Sequence, residues 1–582
     1  MKKGFLLSLG LLLLFSCLSS QKNTSYSPSL NFQQFNIQKK LVCQNGAVVT
    51  ANAIASRVGV EILKQGGNAF DAAIATQLAL AVVHPGAGNL GGGGFMIARL
   101  SNGELLALDF RETAPAIAHR NMYIDEKGKA RTDKSQYGHL SSGVPGTVAG
   151  LFASAKYGKL SFQKLIQPAI DLAEEGFVIS QQESRSLNSL QDELKKYNSV
   201  MPVFVKDAKW NEGDTLIQPD LAGTLKRIRD NGAAGFYEGE TAKLIVEEMK
   251  RGDGIISLND LKNYKVKFRE PHVFDYKEFK IIGMPMPSSG GLLLHQMMKM
   301  IEKRNIAVMG FQSIQAIQLM AEVERRAFAD RATYMGDADF YKVPVKELTD
   351  KKYLEDRMKN FEYLKATLSE EMKAGKILFN ESEETTHLSI IDKEGNAVAI
   401  TTTLNNSYGS KTVVGGAGFF MNDEMDDFSI KPGVPNMYGA IGGEANAIEP
   451  GKRMLSSMAP TIVLKENLPY IITGTPGGTT IPTSVFQTLV NIIDFGMSSE
   501  DAVNKPKFHH QWLPDSLYVE KDFPIEKREA LQKIGYRVQQ RSSIGRTEVI
   551  KIFYEKNQSG KIRRIKIEAV ADKRGDDTAD GY

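Results

Sequence analysis

The feature that most constrains this chain is a change of hydrophobic period near Glu381. Upstream of it, apolar residues recur at helical spacing. Ile54, Val58, Ile62 and Leu63 precede Gly66-Gly67, and a run from Ala72 to Val83 precedes His84-Pro85, which predicts two adjacent packed helices. The same period predicts helices over Thr147 to Tyr157, Phe162 to Glu175, Gly291 to Lys303 and Ser313 to Tyr334. Gly93 to Leu100 and Glu104 to Asp109 read as strands around the turn Ser101-Asn102-Gly103. Downstream, Leu388-Ser389-Ile390-Ile391 and Ala397 to Thr402 are strand-like and joined by the turn Asp392-Lys393-Glu394-Gly395, so Thr385 opens a β-hairpin. A later helix is expected over Thr483 to Phe495, with Pro482 near its start and Gly496 past its end, and Gly477-Gly478 as a tight turn before it. Ala366 to Glu384, rich in Lys, Glu and Ser, reads as exposed and mobile.

With 582 residues, 42% of them hydrophobic and 24% charged, the chain has the composition of a globular protein of several domains' length, without the signatures of disorder or of an integral membrane protein. The formal net charge of +4 falls to +2 when Lys2 and Lys3 are set aside, too small to suggest a nucleic-acid partner. Those lysines precede an apolar run from Gly4 to Phe15, the pattern of a secretory signal and too short to span a bilayer. Leu14-Phe15-Ser16-Cys17 resembles the lipobox of bacterial lipoproteins, with a plain cleavable signal as the other reading. The expectation is an exported protein, in the periplasm or attached to the outer membrane by a lipid on Cys17. Its signal would occupy residues 1–20 and a flexible spacer residues 21–40. The one other cysteine is Cys43, so with Cys17 lipidated or removed no intramolecular disulfide forms and packing must hold the fold.

Several familiar motifs fail on context. Gly86-Ala87-Gly88-Asn89-Leu90-Gly91 spells a dinucleotide fingerprint, but it lies between a helix and a strand, where the fingerprint requires strand before and helix after. These glycines read instead as a loop where backbones approach closely. No phosphate-binding Gly-Lys-Ser/Thr and no Gly-x-Ser-x-Gly elbow is present. His509-His510 has no ligand-spaced carboxylate and reads as a core or surface pair.

Glu384-Thr385-Thr386-His387-Leu388-Ser389 alone justifies little beyond a strand-edge threonine. Its company is more specific: His84-Pro85 with the glycine loop, Asp109-Phe110-Arg111-Glu112, and Pro287-Ser288-Ser289-Gly290-Gly291. To these are added Thr403-Leu404-Asn405, Asn422 to Phe428, Leu455-Ser456-Ser457-Met458, Gly474-Thr475-Pro476-Gly477-Gly478 and the ending Asp580-Gly581-Tyr582. From about Ala47 to Tyr582 the chain resembles the γ-glutamyltranspeptidases of the N-terminal nucleophile hydrolases.

The resemblance implies an α+β fold, a four-layer αββα sandwich built jointly by two products of self-cleavage, residues 41–384 and 385–582, which form a heterodimer. It implies attack by Thr385 on the Glu384 carbonyl, which frees an α-amine on Thr385; an amine with pKa near 8 can act as that residue's own base. It assigns Thr403 as hydrogen-bond partner of the nucleophile and the Gly477 and Gly478 amides as oxyanion hole. Arg111 with Ser456 and Ser457 would take a substrate α-carboxylate, and Asp427 with Asn405 and Glu424 the α-ammonium. Tyr438, in Asn436-Met437-Tyr438-Gly439, would belong to a closing lid. The bland readings are a strand threonine at 403, turn glycines at 477 and 478, a surface ion pair at Arg111 or Asp427, and a packed loop aromatic at 438. The expected substrates are glutathione and γ-glutamyl amides, with water, amino acids or peptides as acceptors, and no metal or organic cofactor is implied. The rivals are a glutaryl or cephalosporin acylase of the same fold, against which Asp427 and the lid argue, and a non-enzymatic exported binding lipoprotein.

Overall fold

The structure, a computed structural model, describes residues 36–369 and 385–582. Expectations for the signal, most of the spacer, Cys17 and Glu384 lie outside those residues. Two seven-stranded sheets stack face to face. The first runs in the order Thr578–Gly581, Ala47–Thr50, Thr386–Ile391, Ala397–Thr403, Gly93–Arg99, Leu105–Asp109 and Lys267–Arg269. The second runs Lys40–Cys43, Ile562–Val570, Glu548–Lys556, Leu468–Gly474, Thr461–Lys465, Phe279–Gly283 and His272–Tyr276. Thr386–Ile391 and Ala397–Thr403 pack on Leu468–Gly474 of the opposite sheet. Helices Ala53–Lys64 and Ala69–Val83 cover the outer face of the first sheet, and Gly290–Glu302 and Thr480–Ile493 that of the second. This is the αββα sandwich. Because both faces of each sheet are covered, every residue of Thr386–Ile391 and Ala397–Thr403 is buried, which is why these strands read as nearly continuous apolar and hydroxyl runs instead of alternating.

The anticipated hairpin is antiparallel with Thr386 opposite Thr402 and Ile391 opposite Ala397. Its turn works as the residues suggest: Asp392 Oδ1 accepts from the amides of Glu394 (2.8 Å) and Asn396 (3.0 Å), while Gly395 takes the positive φ of +89°. The hairpin sits between Ala47–Thr50 and Gly93–Arg99, so the segment after residue 384 fills the centre of a sheet whose neighbours come from the segment before it. The second sheet repeats this pattern, with four downstream strands in the middle and upstream strands at both edges.

The structure adjusts some boundaries. The late helix begins at Thr480, three residues earlier than expected, which puts Pro482 inside its first turn and brings the Gly477-Gly478 turn against its N-terminus. The Gln38 carbonyl accepts from the Ala579 amide at 2.8 Å, and Lys39 Nζ donates to three carbonyls, of Asp572, Gly575 and Asp577, so the folded body starts slightly inside the anticipated spacer. The described part of the segment expected to be exposed and mobile is tied down. Ser369 is buried, its amide donates to Asp515 Oδ2 (3.1 Å), and its hydroxyl donates to the Trp512 carbonyl (2.9 Å). Ala366, Thr367 and Ser369 are anchored by amide hydrogen bonds to the Ile534 carbonyl, Glu322 Oε1 and Asp515 Oδ2, while Leu368 between them is exposed, a pattern that composition does not reveal. Of the histidine pair, both members are core: His509 bonds Thr483 and Gln511, and His510 bonds Arg325. Among the described residues no group of His, Cys, Asp and Glu is arranged to hold a metal. Cys43 is buried with a free thiol, pushed up to about 11 by burial.

Strands shared this way do not form independently. A chain opened between residues 384 and 385 is expected to remain one particle in gel filtration and to yield two chains only in denaturant. Separation of the two chains under native conditions would contradict the shared-sheet architecture.

Candidate active site

The hairpin register carries Thr385, one residue before the Thr386–Thr402 pair, to the position across from Thr403. Both line one small cavity, together with Arg111, Arg331, Asn405, Glu424, Asp427, Asn436, Tyr438, Ser456, Ser457 and Gly478. Of the described residues that the sequence singles out as site residues, only Gly477 lies outside this lining, one residue from it.

Thr403 is fixed from two sides, by the turn after its strand and by the glycine loop behind it. Its Oγ1 accepts from the Asn405 amide at 2.7 Å, in a turn that holds Asn405 at φ +76°, a left-handed conformation that asparagine tolerates better than most residues. Its carbonyl accepts from Asn89 Nδ2 at 3.0 Å, and a Cβ on Gly92 would lie 2.1 Å from that same oxygen. The glycine loop therefore serves as a close backbone support for Thr403. His387, two residues beyond Thr385, is no base. It is fully buried between Thr401 Oγ1 (2.9 Å) and Ser389 Oγ (3.0 Å), and burial pushes its pKa down to about 3.

The strand Leu468–Gly474 of the second sheet delivers the glycine turn to the cavity. Gly477 and Gly478 have φ of +136° and +53°, and the Gly477 carbonyl accepts from the Thr480 amide (2.9 Å) and hydroxyl (2.7 Å), opening the helix. No described group accepts a hydrogen bond from either glycine amide. A Cβ on Gly478 would meet the Tyr438 ring at 2.6 Å, so Tyr438 rests directly on the turn. Tyr438 is only 5% exposed, and its hydroxyl donates to the Asn405 carbonyl. Gln511 secures this arrangement: its Nε2 donates to the Tyr438 carbonyl (3.1 Å) and its Oε1 accepts from Thr479 Oγ1 (2.5 Å).

Opposite lies a buried charge cluster. Arg111, just past strand Leu105–Asp109, places Nη2 2.5 Å from Asp427 Oδ2 and Nη1 2.5 Å from Glu424 Oε2, with Glu112 Oε2 at 3.6 Å. The Glu424 contact is close but out of line for a hydrogen bond, so attraction there is chiefly electrostatic. The sequence reading sets Arg111 and Asp427 apart, to grip opposite ends of an amino acid; here they bind each other. The pair is also no surface bridge, since Arg111 is 1% exposed. Burial pushes Glu112 up to about 8 and raises Glu424 and Asp427, with Arg111 opposing the shift in each case. Asp426 is pushed up to about 7 by burial, and it accepts from Ser135 Oγ and from the Met437 amide at 2.8 Å. Asp427 Oδ1 accepts from Asn436 Nδ2 at 2.9 Å, which couples the cluster to the segment that carries Tyr438. Ser456 and Ser457 close the remaining side; the Ser456 amide donates to the Pro287 carbonyl at 2.9 Å and its carbonyl accepts from the Ser289 amide at 2.8 Å.

The sequence alone gives no role to Arg331, Gln511 or Glu112. Glu112 sits visibly beside Arg111, but Arg331 lies within a regular helix, Ile314–Tyr334, whose pattern gives no hint of the cavity at its end.

Comparison with known proteins agrees with this fold. Residues 55–582 match the family model described as gamma-glutamyltranspeptidase. The chain is 46% identical over 519 residues to the glutathione hydrolase proenzyme of Escherichia coli (strain K12), covering 88% of each chain. The crystal structure of Helicobacter pylori gamma-glutamyltranspeptidase is 43% identical, covers 59% of this chain and 97% of its own, and superposes with a TM-score of 0.55. A cephalosporin acylase from Bacillus halodurans, 24% identical, shares the fold, with a TM-score of 0.80 over 96% of this chain and 99% of its own.

Removing the charge of Arg111 strands carboxylates in a dry pocket. Arg111→Met is expected to cost about 3 to 5 kcal/mol, read by chemical denaturation. The carboxyls' folded pKa values lie above their unfolded ones, so their stabilising contribution is full below pH about 4.5 and is lost as pH rises through about 8, the value for Glu112. Arg111 holds these pKa values below what burial alone would give, so its removal raises them further, and the deficit against wild type should be smallest near pH 5 and grow as pH rises through about 8 and beyond; a deficit that shrinks with rising pH would contradict the charge assignment.

Proposed function

The chain belongs to the γ-glutamyltranspeptidase family, and on that premise we propose that it is a self-processing γ-glutamyltransferase with glutathione hydrolase activity whose nucleophile is Thr385. The observation that carries the reading is one cavity lined by Thr385, Thr403, Gly478 and the Arg111–Asp427 pair. In the precursor, Thr385 Oγ attacks the Glu384 carbonyl, the acyl group shifts from nitrogen to oxygen, and water hydrolyses the ester. The α-amine so released serves as base for the next reaction. His387, neutral and hydrogen-bonded on both ring nitrogens, does not compete for that role.

In turnover, Thr385 Oγ attacks the γ-carbonyl while Thr403 orients it. The developing oxyanion accepts from the Gly477 and Gly478 amides, each donor worth about 3 to 4 kcal/mol in comparable sites. The proton passes through the amine to the leaving group, and water, an amino acid or a peptide then takes the γ-glutamyl group from Thr385.

The buried ion pair gives binding its logic. A γ-glutamyl group carries a free carboxylate and a free ammonium, and inserting both converts one internal pair into two. The carboxylate takes Arg111 with Ser456 and Ser457; Asp427, assisted by Asn405 and Glu424, takes the ammonium. Charge balance is kept throughout, which limits the desolvation cost. A glutaryl group brings no ammonium and would leave Asp427 and Glu424 without a partner once Arg111 turned to the ligand. The acidic excess around Arg111 therefore favours γ-glutamyl compounds over the acylase reading.

Two chains formed from one precursor are part of this proposal, as is export, supported by Lys2-Lys3, the apolar run after them and the Leu14-Phe15-Ser16-Cys17 tetrapeptide. Incorporation of a fatty-acid analogue at Cys17 is the expected result in cells; its absence, with the protein still exported, would restrict the proposal to a cleaved signal.

Mass spectrometry should find a chain beginning at Thr385, and an intact, inactive precursor in Thr385→Ala. Asp427→Asn should lower kcat/KM for a γ-glutamyl anilide about 30- to 100-fold, the loss expected for a charge-assisted contact, and affect a glutaryl anilide far less. A wild-type preference for the glutaryl anilide would overturn the substrate assignment.

A further inference from the structure

Arg331 occupies the last turn of helix Ile314–Tyr334 and lines the cavity that also holds Thr385, Arg111, Ser456 and Ser457. It is a buried guanidinium, 7% exposed. Its Nε donates to Ser289 Oγ at 3.1 Å, and Ser289 Oγ donates to the Ser456 carbonyl at 2.7 Å, which places the guanidinium on the serine side of the cavity. Among the described residues, neither Nη1 nor Nη2 of Arg331 has a hydrogen-bond or ion-pair partner, whereas both terminal nitrogens of Arg111 already face carboxylates. Burial pushes the Arg331 pKa down only to about 10, so it stays charged at neutral pH.

A charged guanidinium withdrawn from water and left with four unengaged N–H groups costs free energy unless something in the cavity accepts them. The acceptors near it are arranged asymmetrically. Glu424 and Asp427 lie within ion-pair distance of Arg111, whereas Arg331 feels the Asp427 charge only from beyond that distance and has the uncharged Ser456 and Ser457 on the same cavity. An anion with two acceptor oxygens fits that position, and a planar fork suits a carboxylate.

We propose that Arg331 is a substrate-binding residue that supplies the second guanidinium for the α-carboxylate of the γ-glutamyl group, held between Arg331, Arg111 and the Ser456-Ser457 hydroxyls. This rests on the γ-glutamyl reading of the site. It explains how a carboxylate enters a pocket whose most prominent arginine is already neutralised: Arg331 attracts it first, and Arg111 releases Asp427 to the incoming ammonium as the ligand seats. It also assigns a purpose to Ser289, which aims the guanidinium through Nε and leaves the Nη face to the ligand.

The test separates the α-carboxylate from the rest of the ligand. L-glutamate and its α-carboxamide analogue, isoglutamine, are compared as competitive inhibitors of γ-glutamyl anilide hydrolysis by the processed wild-type, Arg331→Lys and Arg331→Met enzymes. Wild type should bind glutamate far more tightly than the amide. In Arg331→Met that ratio of inhibition constants should fall about 10- to 100-fold, the loss expected for hydrogen bonds to a charged group. KM should rise while kcat changes much less, and Arg331→Lys should fall between. Parallel weakening of both inhibitors, or an unchanged ratio, would overturn the proposal, since a purely structural arginine disturbs the two ligands equally. If Arg331→Met does not process, the ratio in Arg331→Lys decides by the same criterion. A wild-type enzyme that prefers glutaryl over γ-glutamyl anilides would sink the γ-glutamyl reading itself, an outcome distinct from either result at position 331.

Discussion

The ion pair of Arg111 with Asp427 and Glu424 is the constraint on which the site depends. A guanidinium so fully buried is tolerated only beside compensating charge, and carboxylates in the same pocket are tolerated only beside it. The pair is kept closed by the neighbouring loops. Asn436 holds Asp427 from one side, and Tyr438, two residues on, reaches across to the Asn405 carbonyl while resting on Gly478. The charge cluster, the segment carrying Tyr438 and the Gly477-Gly478 turn are consequently mechanically connected. In the proposed function a zwitterionic ligand substitutes for the internal pair, and a ligand of one sign does not.

That cluster is assembled from remote stretches of chain because the fold is shared. Arg111 follows a strand of the first sheet, the glycine turn follows a strand of the second, and the hairpin that presents Thr385 and Thr403 lies at the interface of the two. Placing residues 386–403 at the middle of a sheet flanked by upstream strands means that a break before Thr385 alters connectivity and leaves the layers in place. This suits a protein in which a chain end is itself the chemical group: the end can be created after folding, inside a site already formed.

Much of this is legible in the sequence, for identifiable reasons. The helices over residues 53–83 and 290–334 announce themselves by period, and the Asp392-Lys393-Glu394-Gly395 turn by its chemistry. The grouping of Arg111, Asp427, Ser456 and Thr385 comes from family resemblance, not from spacing. Geometry within the group is beyond the reach of pattern. The sequence suggests Arg111 and Asp427 at opposite ends of a ligand, and their direct contact emerges only when the carboxylates are seen packed beside the guanidinium. Arg331 and Gln511 are invisible because each sits in an unremarkable local pattern and matters only through a neighbour far along the chain or in another layer. The anchoring of Ser369 is hidden for the same reason: its partners Asp515 and Trp512 are remote in sequence.

The central claim, that Thr385 carries the transferred group, is tested most directly by the intact mass of the two chains quenched during turnover of a γ-glutamyl amide, followed by peptide mapping. The expected result is the mass of one added γ-glutamyl group on the chain of residues 385–582, carried by Thr385, and its disappearance when an acceptor amine is supplied. An unmodified small chain under conditions of rapid turnover, or a γ-glutamyl group mapped to any other residue, would contradict it.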